Sequence, residues 1–150
     1  MTDQTGQTGP TGHILAMLNR QTEGWDHAMG LRFTAATPEL IEAEWTVGKE
    51  HLQPFGLVHG GVYCGVIETV CSIGAGLAAG ARGAGGVVGL ENSTSFIRSA
   101  RLGAVLKARA TPLTRGRTTQ VWQAEIRDEK GQLIATGRVR TLAVKPDGSG

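Results

Sequence analysis

One long apolar stretch dominates this chain, and it holds a single ion. Between His51 and Ala81 the only formally charged side chain, counting His as neutral, is Glu68. The stretch opens on Gly60-Gly61, and its pattern predicts one helix from about Gly61 to Ala79. A helix that is apolar almost all round must be enclosed on most sides. In 150 residues, sized for one domain with one core, that enclosure falls to a strongly curved sheet, with a second subunit closing the remainder. Residues 55–81 are long enough to suggest a membrane span, but they contain many glycines and a central Glu. A span needs about 20 predominantly apolar residues, so the buried helix of a soluble protein with no membrane partner is expected.

The flanking segments supply the sheet. A short helix is expected from about His13 to Arg20 and a strand from Met29 to Ala35. In Leu40 to Val47, Ile41, Ala43, Trp45 and Val47 alternate with Glu42, Glu44 and Thr46, a clear half-buried strand. After the helix come Val87 to Ile97, then Gly103 to Thr111. Gln120, Trp122, Ala124 and Ile126 next alternate with Val121, Gln123, Glu125 and Arg127. Asp128-Glu129-Lys130-Gly131 reads as a hairpin turn, and Gln132 to Val144 returns. Residues 1–12, rich in Thr, Gln and Gly, are expected to be a disordered tail, 13–145 the single domain, and 146–150 a frayed end.

A carboxylate in a buried helix is costly unless it has a use. Two glycines at the helix start can bare backbone N–H groups to a ligand oxygen. Together they are the equipment of acyl transfer or hydrolysis. Composition narrows the rest. A net charge of only +2 argues against a nucleic-acid partner. No zinc-like Cys/His cluster is present, so no metal is expected. Cys64 and Cys71 lie about 10 Å apart along the helix, too far for a disulfide, and fit a reducing, cytoplasmic compartment.

Gln53-Pro54-Phe55-Gly56-Leu57-Val58-His59-Gly60-Gly61, followed by Glu68-Thr69 and Ser72, resembles the core motif of hot-dog-fold acyl-CoA thioesterases. It is most similar to the Glu-dependent branch, which includes one type of 4-hydroxybenzoyl-CoA thioesterase, the enterobactin-pathway proofreading thioesterase and 1,4-dihydroxy-2-naphthoyl-CoA thioesterase. The broader PaaI-like group usually has Asp at the carboxylate position. The resemblance extends over roughly residues 28–145. It implies an α+β hot-dog fold: a curved antiparallel sheet wrapped around one long central helix.

It also implies roles. Glu68 would be nucleophile or general base, and the N–H of Gly60 would polarise the thioester carbonyl. Gln53 and His59 would position the acyl carbonyl or the helix start, and Ser72 would orient a water or Glu68. Gly89, Arg98, Ser99, Thr114, Arg115, Gly116, Arg117, Thr118 and Thr119 fall where relatives contact the nucleotide and pantetheine of CoA. The chain departs from relatives after Phe96, where Ile97-Arg98-Ser99 replaces a run ending in Arg-Pro. No cofactor is implied, since CoA is part of the substrate, and the partner is another copy of the chain, in a dimer or homotetramer.

Other readings stand beside these. His59 can serve as a helix-entry residue, Gln53 can cap its own turn, and Ser72 can be a small packing residue. The implied activity is hydrolysis of an aromatic or other bulky acyl-CoA, such as a hydroxybenzoyl-, phenylacetyl- or dihydroxynaphthoyl-CoA. A medium- or long-chain acyl-CoA or acyl-carrier-protein thioesterase and a non-catalytic acyl-CoA-binding protein are the alternatives. A dehydratase on the same fold would pair a His with an acidic residue at a different spacing.

Finally, Gly60 and Glu68 lie eight residues apart, about 12 Å along a helix. One carbonyl cannot reach both on one straight helix. A shared site between two antiparallel helices, related by a two-fold axis, is therefore expected.

Overall fold

The computed structural model describes residues 9–147. The elements run α1 (Pro10–Asn19), α2 (Trp25–Ala28), β1 (Arg32–Ala36), β2 (Ile41–Thr46), a 3-10 turn (Lys49–His51), α3 (Gly60–Gly80), β3 (Gly86–Phe96), β4 (Val105–Arg115), β5 (Thr119–Arg127) and β6 (Leu133–Val144). All six strands form one antiparallel sheet in the order β1-β2-β4-β5-β6-β3. α3 packs against β2, β3, β4, β5 and β6, so a curved sheet wraps one central helix, the hot-dog arrangement expected.

The alternations seen in the sequence set which face turns inward. Ile41, Ala43 and Trp45 of β2 are buried, as are Leu106, Ala108 and Ala110 of β4 and Trp122, Ala124 and Ile126 of β5. Gln120 joins them inside, and its amide is satisfied. Its Nε2 donates to the Ala75 carbonyl at 3.0 Å, and its Oε1 accepts from the Trp122 indole N–H at 2.9 Å. α3 meets the length and apolarity of a membrane span, but here it is the core helix of the sheet, with Val66, Ile67, Val70 and Cys71 fully buried.

Several expected boundaries move. α1 begins at Pro10 rather than His13, because Pro pre-sets the first helical turn after Gly9. The expected tail thus overlaps the helix at 10–12, and its residues 1–8 lie outside the described residues, as do 148–150 of the frayed end. α2 was not expected at all. It crosses one side of α3, where Thr69 donates to Asp26 at 2.7 Å and the Trp25 ring covers Gly65. β4 runs on past the end of β2 at Ala110, so Pro112 sits beside β5 alone, at a bulge that spares the ladder.

The side of α3 between α2 and β3 is open. Cys64, Glu68, Ser72 and Gly76, spaced by four, form a half-buried stripe along it. The expected full burial of Glu68 therefore does not hold within one chain: it lies on this stripe, half-exposed. β3 borders the stripe as the outermost strand, eleven residues long and mostly exposed, with Val88 and Leu90 on its surface.

Candidate active site

The helix start is built by the loop before it. The Gln53 N–H donates to the Leu57 carbonyl, and Gly56, at φ 80°, closes the turn by donating to the Gln53 carbonyl. Only glycine adopts that backbone without strain. The Gln53 Oε1 accepts from the Phe55 N–H, so this side chain caps its own turn. His59 is the N-cap of α3: its Nδ1 accepts from the Gly61 N–H at 2.8 Å. That leaves the N–H of Gly60, which has no partner inside the helix because it lies in the first turn.

Gly60 opens onto a cleft of about 260 Å³ lined by Gln53, Leu57, Val58, Gly60, Tyr63, Phe96, Ile97, Arg98 and Ser99. A Cβ on Gly60 would stand 2.4 Å from the Phe96 ring, so the absence of a side chain is what lets that ring lie against the helix end. Tyr63 and Phe96 pack with ring centroids 5.9 Å apart, giving the cleft an aromatic wall. Burial pushes the Tyr63 phenol upward, and the neighbouring Ala100 backbone offsets part of that rise. The hydroxyl nonetheless makes no hydrogen bond of good geometry among the described residues. The Arg98 guanidinium donates to the Leu133 carbonyl at 3.1 Å, which anchors it at the cleft rim.

Glu68 lies two turns further along α3. Both of its oxygens are held. Ser72 donates to Oε1 at 3.2 Å, and Asn92 of β3 donates to Oε2 at 3.0 Å. β3 runs antiparallel beside α3, which is why Phe96 meets Gly60 while Asn92 meets Cys64 and Glu68. Its charge acts on one neighbour: the Cys71 thiol is pushed strongly upward, first by its burial and then by the Glu68 carboxylate.

The structure thus brings Gln53, His59, Gly60, Arg98 and Ser99 to one end of α3, and Ser72, Glu68 and Gly89 to its middle. Gly89 sits against Glu68: a Cβ there would stand 2.5 Å from Oε1. The β4–β5 hairpin, with Thr114 to Thr119, lies at the other end of α3. Arg82, just past the helix, donates to the carbonyls of Arg115 and Gly116. Arg115 itself is engaged by Glu39 at 3.2 Å and by the Pro38 carbonyl. In one chain this hairpin is therefore separated from the Gly60 cleft by the length of a 21-residue helix, about 30 Å.

A larger depression, about 530 Å³, lies on the outer face of the sheet. Two of its charge pairs are internal, Arg109 with Glu42 and Arg127 with Glu125, and no residue of α3 reaches it. Sequence reasoning missed Asn92, Tyr63 and Phe96. The missing side chain at Gly60 is the one sequence signal that a ring packs over the helix start; nothing local marks Asn92.

Comparison with known proteins agrees with this architecture. The profile of the thioesterase superfamily matches residues 55–135. The Mycobacterium tuberculosis protein Rv1847 is 42% identical over 120 residues, 79% of this chain and 85% of that one. The 1,4-dihydroxy-2-naphthoyl-CoA hydrolase of Escherichia coli is 39% identical over 113 residues, covering 75% and 81%. The crystal structure of a Haemophilus influenzae thioesterase superposes with a TM-score of 0.80 at 33% identity, covering 90% of this chain and 93% of that one.

Proposed function

This chain belongs to the thioesterase superfamily, and from that premise we propose that it hydrolyses an aromatic or other bulky acyl-CoA to the free acid and CoA, with Glu68 as the reacting carboxylate. The observation that carries the reading is the holding of Glu68: one donor on each oxygen, Ser72 and Asn92, fixes a charged group on the open stripe of α3. A carboxylate with no catalytic task would be better left to solvent, given the entropy lost in fixing it.

The reaction needs a second component, a donor for the oxyanion that forms as the thioester carbon is attacked. The N–H of Gly60, backed by the positive end of the α3 dipole, is suited to that task. Glu68 either takes a proton from the attacking water, giving the acid directly, or attacks the carbon itself, giving a mixed anhydride that a water then hydrolyses to the free acid and the regenerated carboxylate. Electrons pass to the carbonyl oxygen, then return as the C–S bond breaks and CoA leaves as the thiolate. The aromatic wall of Tyr63 and Phe96 beside Gly60 favours a flat acyl group, as does the likeness to a hydrolase of dihydroxynaphthoyl-CoA. CoA comes with the substrate, and the reading requires no cofactor.

The roughly 12 Å between Gly60 and Glu68 on one helix supports a reading in which they serve two different sites in each chain. The working unit in this reading is a dimer in which the open stripes of two α3 helices face each other and the two β3 edges meet. A tetramer would be a pair of such dimers. The two-fold arrangement would also carry the hairpin of one subunit toward the cleft of its partner, where Arg117, Thr118 and Thr119 could meet the CoA nucleotide beside Arg98 and Ser99. Free thiols at Cys64 and Cys71 fit a cytoplasmic location.

The test is thiol release from a panel of acyl-CoA and acyl-carrier-protein thioesters, repeated with Glu68→Gln. Aromatic acyl-CoAs are expected to give the highest kcat/KM. Glu68→Gln is expected to lower kcat by at least about 10²-fold while thioester binding survives. Turnover of Glu68→Gln within a few-fold of the unmodified chain would remove Glu68 from the chemistry. Binding without turnover by the unmodified chain would favour the non-catalytic acyl-CoA binder.

A further inference from the structure

Asn92 stands on an exposed edge strand, where a polar side chain needs no partner but water. Instead its amide is fully used. Nδ2 donates to the Cys64 carbonyl at 3.0 Å and to the Glu68 Oε2 at 3.0 Å, while Oδ1 accepts from the Thr94 hydroxyl at 2.7 Å. The amide cannot be turned over. A carbonyl and a carboxylate are both acceptors, so placing Oδ1 against them would oppose like dipoles and strand two contacts. Thr94, two residues on along β3, holds the amide from behind.

We propose that Asn92 is a positioning residue for the Glu68 carboxylate, and that Thr94 in turn orients Asn92. This rests on the reading of Glu68 as the reacting group. Glu has three side-chain torsions, and a carboxylate on a half-open helix stripe would otherwise sample several rotamers. Asn92 ties Oε2 to the carbonyl one turn earlier in the same helix, so the carboxylate is fixed relative to the backbone that carries it. Ser72 holds Oε1 from the following turn. A neutral amide suits the position. It orients the anion without the counter-charge of an Arg or Lys, which would hold the carboxylate in a salt bridge and weaken it as a nucleophile or base.

The strand bearing Asn92 also fits this role. β3 departs from regular pairing with β6 between Gly89 and Glu91, and the irregularity bends the strand where it meets Glu68. Gly89 permits the close approach and Asn92 uses it.

The experiment is a double-mutant cycle on the intact protein, with the best aromatic acyl-CoA of the panel as substrate. Asn92→Ala is expected to lower kcat by about 10- to 100-fold, the scale of a hydrogen bond to a charged group, with KM within about twofold. In the Glu68→Gln background the same substitution is expected to change kcat by less than about twofold, because its route to the reaction is already gone. Thr94→Val keeps the shape of the side chain and the strand, and is expected to give a smaller loss of the same kind. It also serves should Asn92→Ala lower the melting temperature. Asn92→Ala and Thr94→Val both within twofold of the unmodified chain, while Glu68→Gln is inactive, would overturn the proposal. So would an equal loss in both backgrounds, which would mark a general structural role. A fully active Glu68→Gln would overturn the reading of Glu68 itself.

Discussion

Gly89 lies directly against Glu68, so close that a Cβ built on Gly89 would stand 2.5 Å from the carboxylate Oε1. The backbone at Gly89 is not in the left-handed region, so another residue could adopt it without strain. What excludes a side chain there is the carboxylate. This gives a residue that the family resemblance places at CoA a second and separate reason to be glycine.

The two reasons predict different kinetics for Gly89→Ala. If the methyl group displaces Glu68, kcat falls by about 10- to 100-fold, since an ångström of misplacement costs on that order, and KM holds. If Gly89 serves CoA contact instead, KM rises and kcat holds. The contact with Oε1 favours the first outcome. Steady-state thiol release over a substrate range separates them.

Gly74 makes the corresponding contact in the core. A Cβ there would meet the Trp122 ring at 2.4 Å, and Trp122 is fully buried. The ring cannot yield easily, because its indole N–H is tied to Gln120 and through it to the Ala75 carbonyl. Gly74→Ala therefore overpacks the helix–sheet contact, at a cost of about 1–3 kcal/mol that exceeds the helix-propensity gain of about 1 kcal/mol. Gly80→Ala, with nothing within 4 Å, keeps only the gain. Thermal melts should place Gly74→Ala below the unmodified chain and Gly80→Ala at or above it.

Much of this was legible before the structure, for local reasons. Alternation in Ile41-Ala43-Trp45 and Gln120-Trp122-Ala124 sets the inner face of the sheet, and the apolar run around Glu68 sets the central helix. The four-residue α2 is too short to show a period, and what holds it is Thr69 and Gly65, some forty residues away. Nothing in the sequence marks Asn92, because its partners depend on β3 lying antiparallel beside α3. The exposure of Glu68 was misjudged for a related reason: an apolar helix implies a cover on most sides, and the stripe at Cys64, Glu68 and Ser72 is the side one chain does not cover.

The two cysteines should differ in reactivity. Burial and the Glu68 charge both push the Cys71 thiol up, so almost no thiolate is present at neutral pH. Cys64 is half-buried on the open stripe, which the proposed dimer covers, so a thiol reagent reaches it only when the two chains part. Labelling followed by peptide mass mapping should therefore modify Cys64 on dilution to the monomer and leave Cys71 intact until the chain unfolds. The shift also makes stability depend on pH. The unfolded thiol titrates near its ordinary value, about 8.5, while the folded one keeps its proton to higher pH. The stabilisation is full below about pH 8.5 and is lost as pH rises beyond it. Melting temperatures should fall with increasing alkalinity, and less steeply in Cys71→Ala.

The shared site makes the sharpest prediction. A Glu68→Gln chain lacks the carboxylate. A Gly60→Pro chain lacks the helix-start N–H, though Pro is well accepted in the first helical turn. The Phe96 ring beside Gly60 is half-exposed and can move aside for the new ring. Each variant alone is expected to be nearly inactive. Co-assembled, they form a hybrid dimer in which one site has the Gly60 N–H of one chain and the Glu68 of the other, while the second site has neither. Random mixing of two chains places half of the dimers in the hybrid form, each with one working site of two, so about a quarter of the unmodified activity should return. Differently tagged chains, purified as heterodimers, should recover about half. Verified heterodimers that stay inactive would refute the shared site, as would full activity in a chain held monomeric.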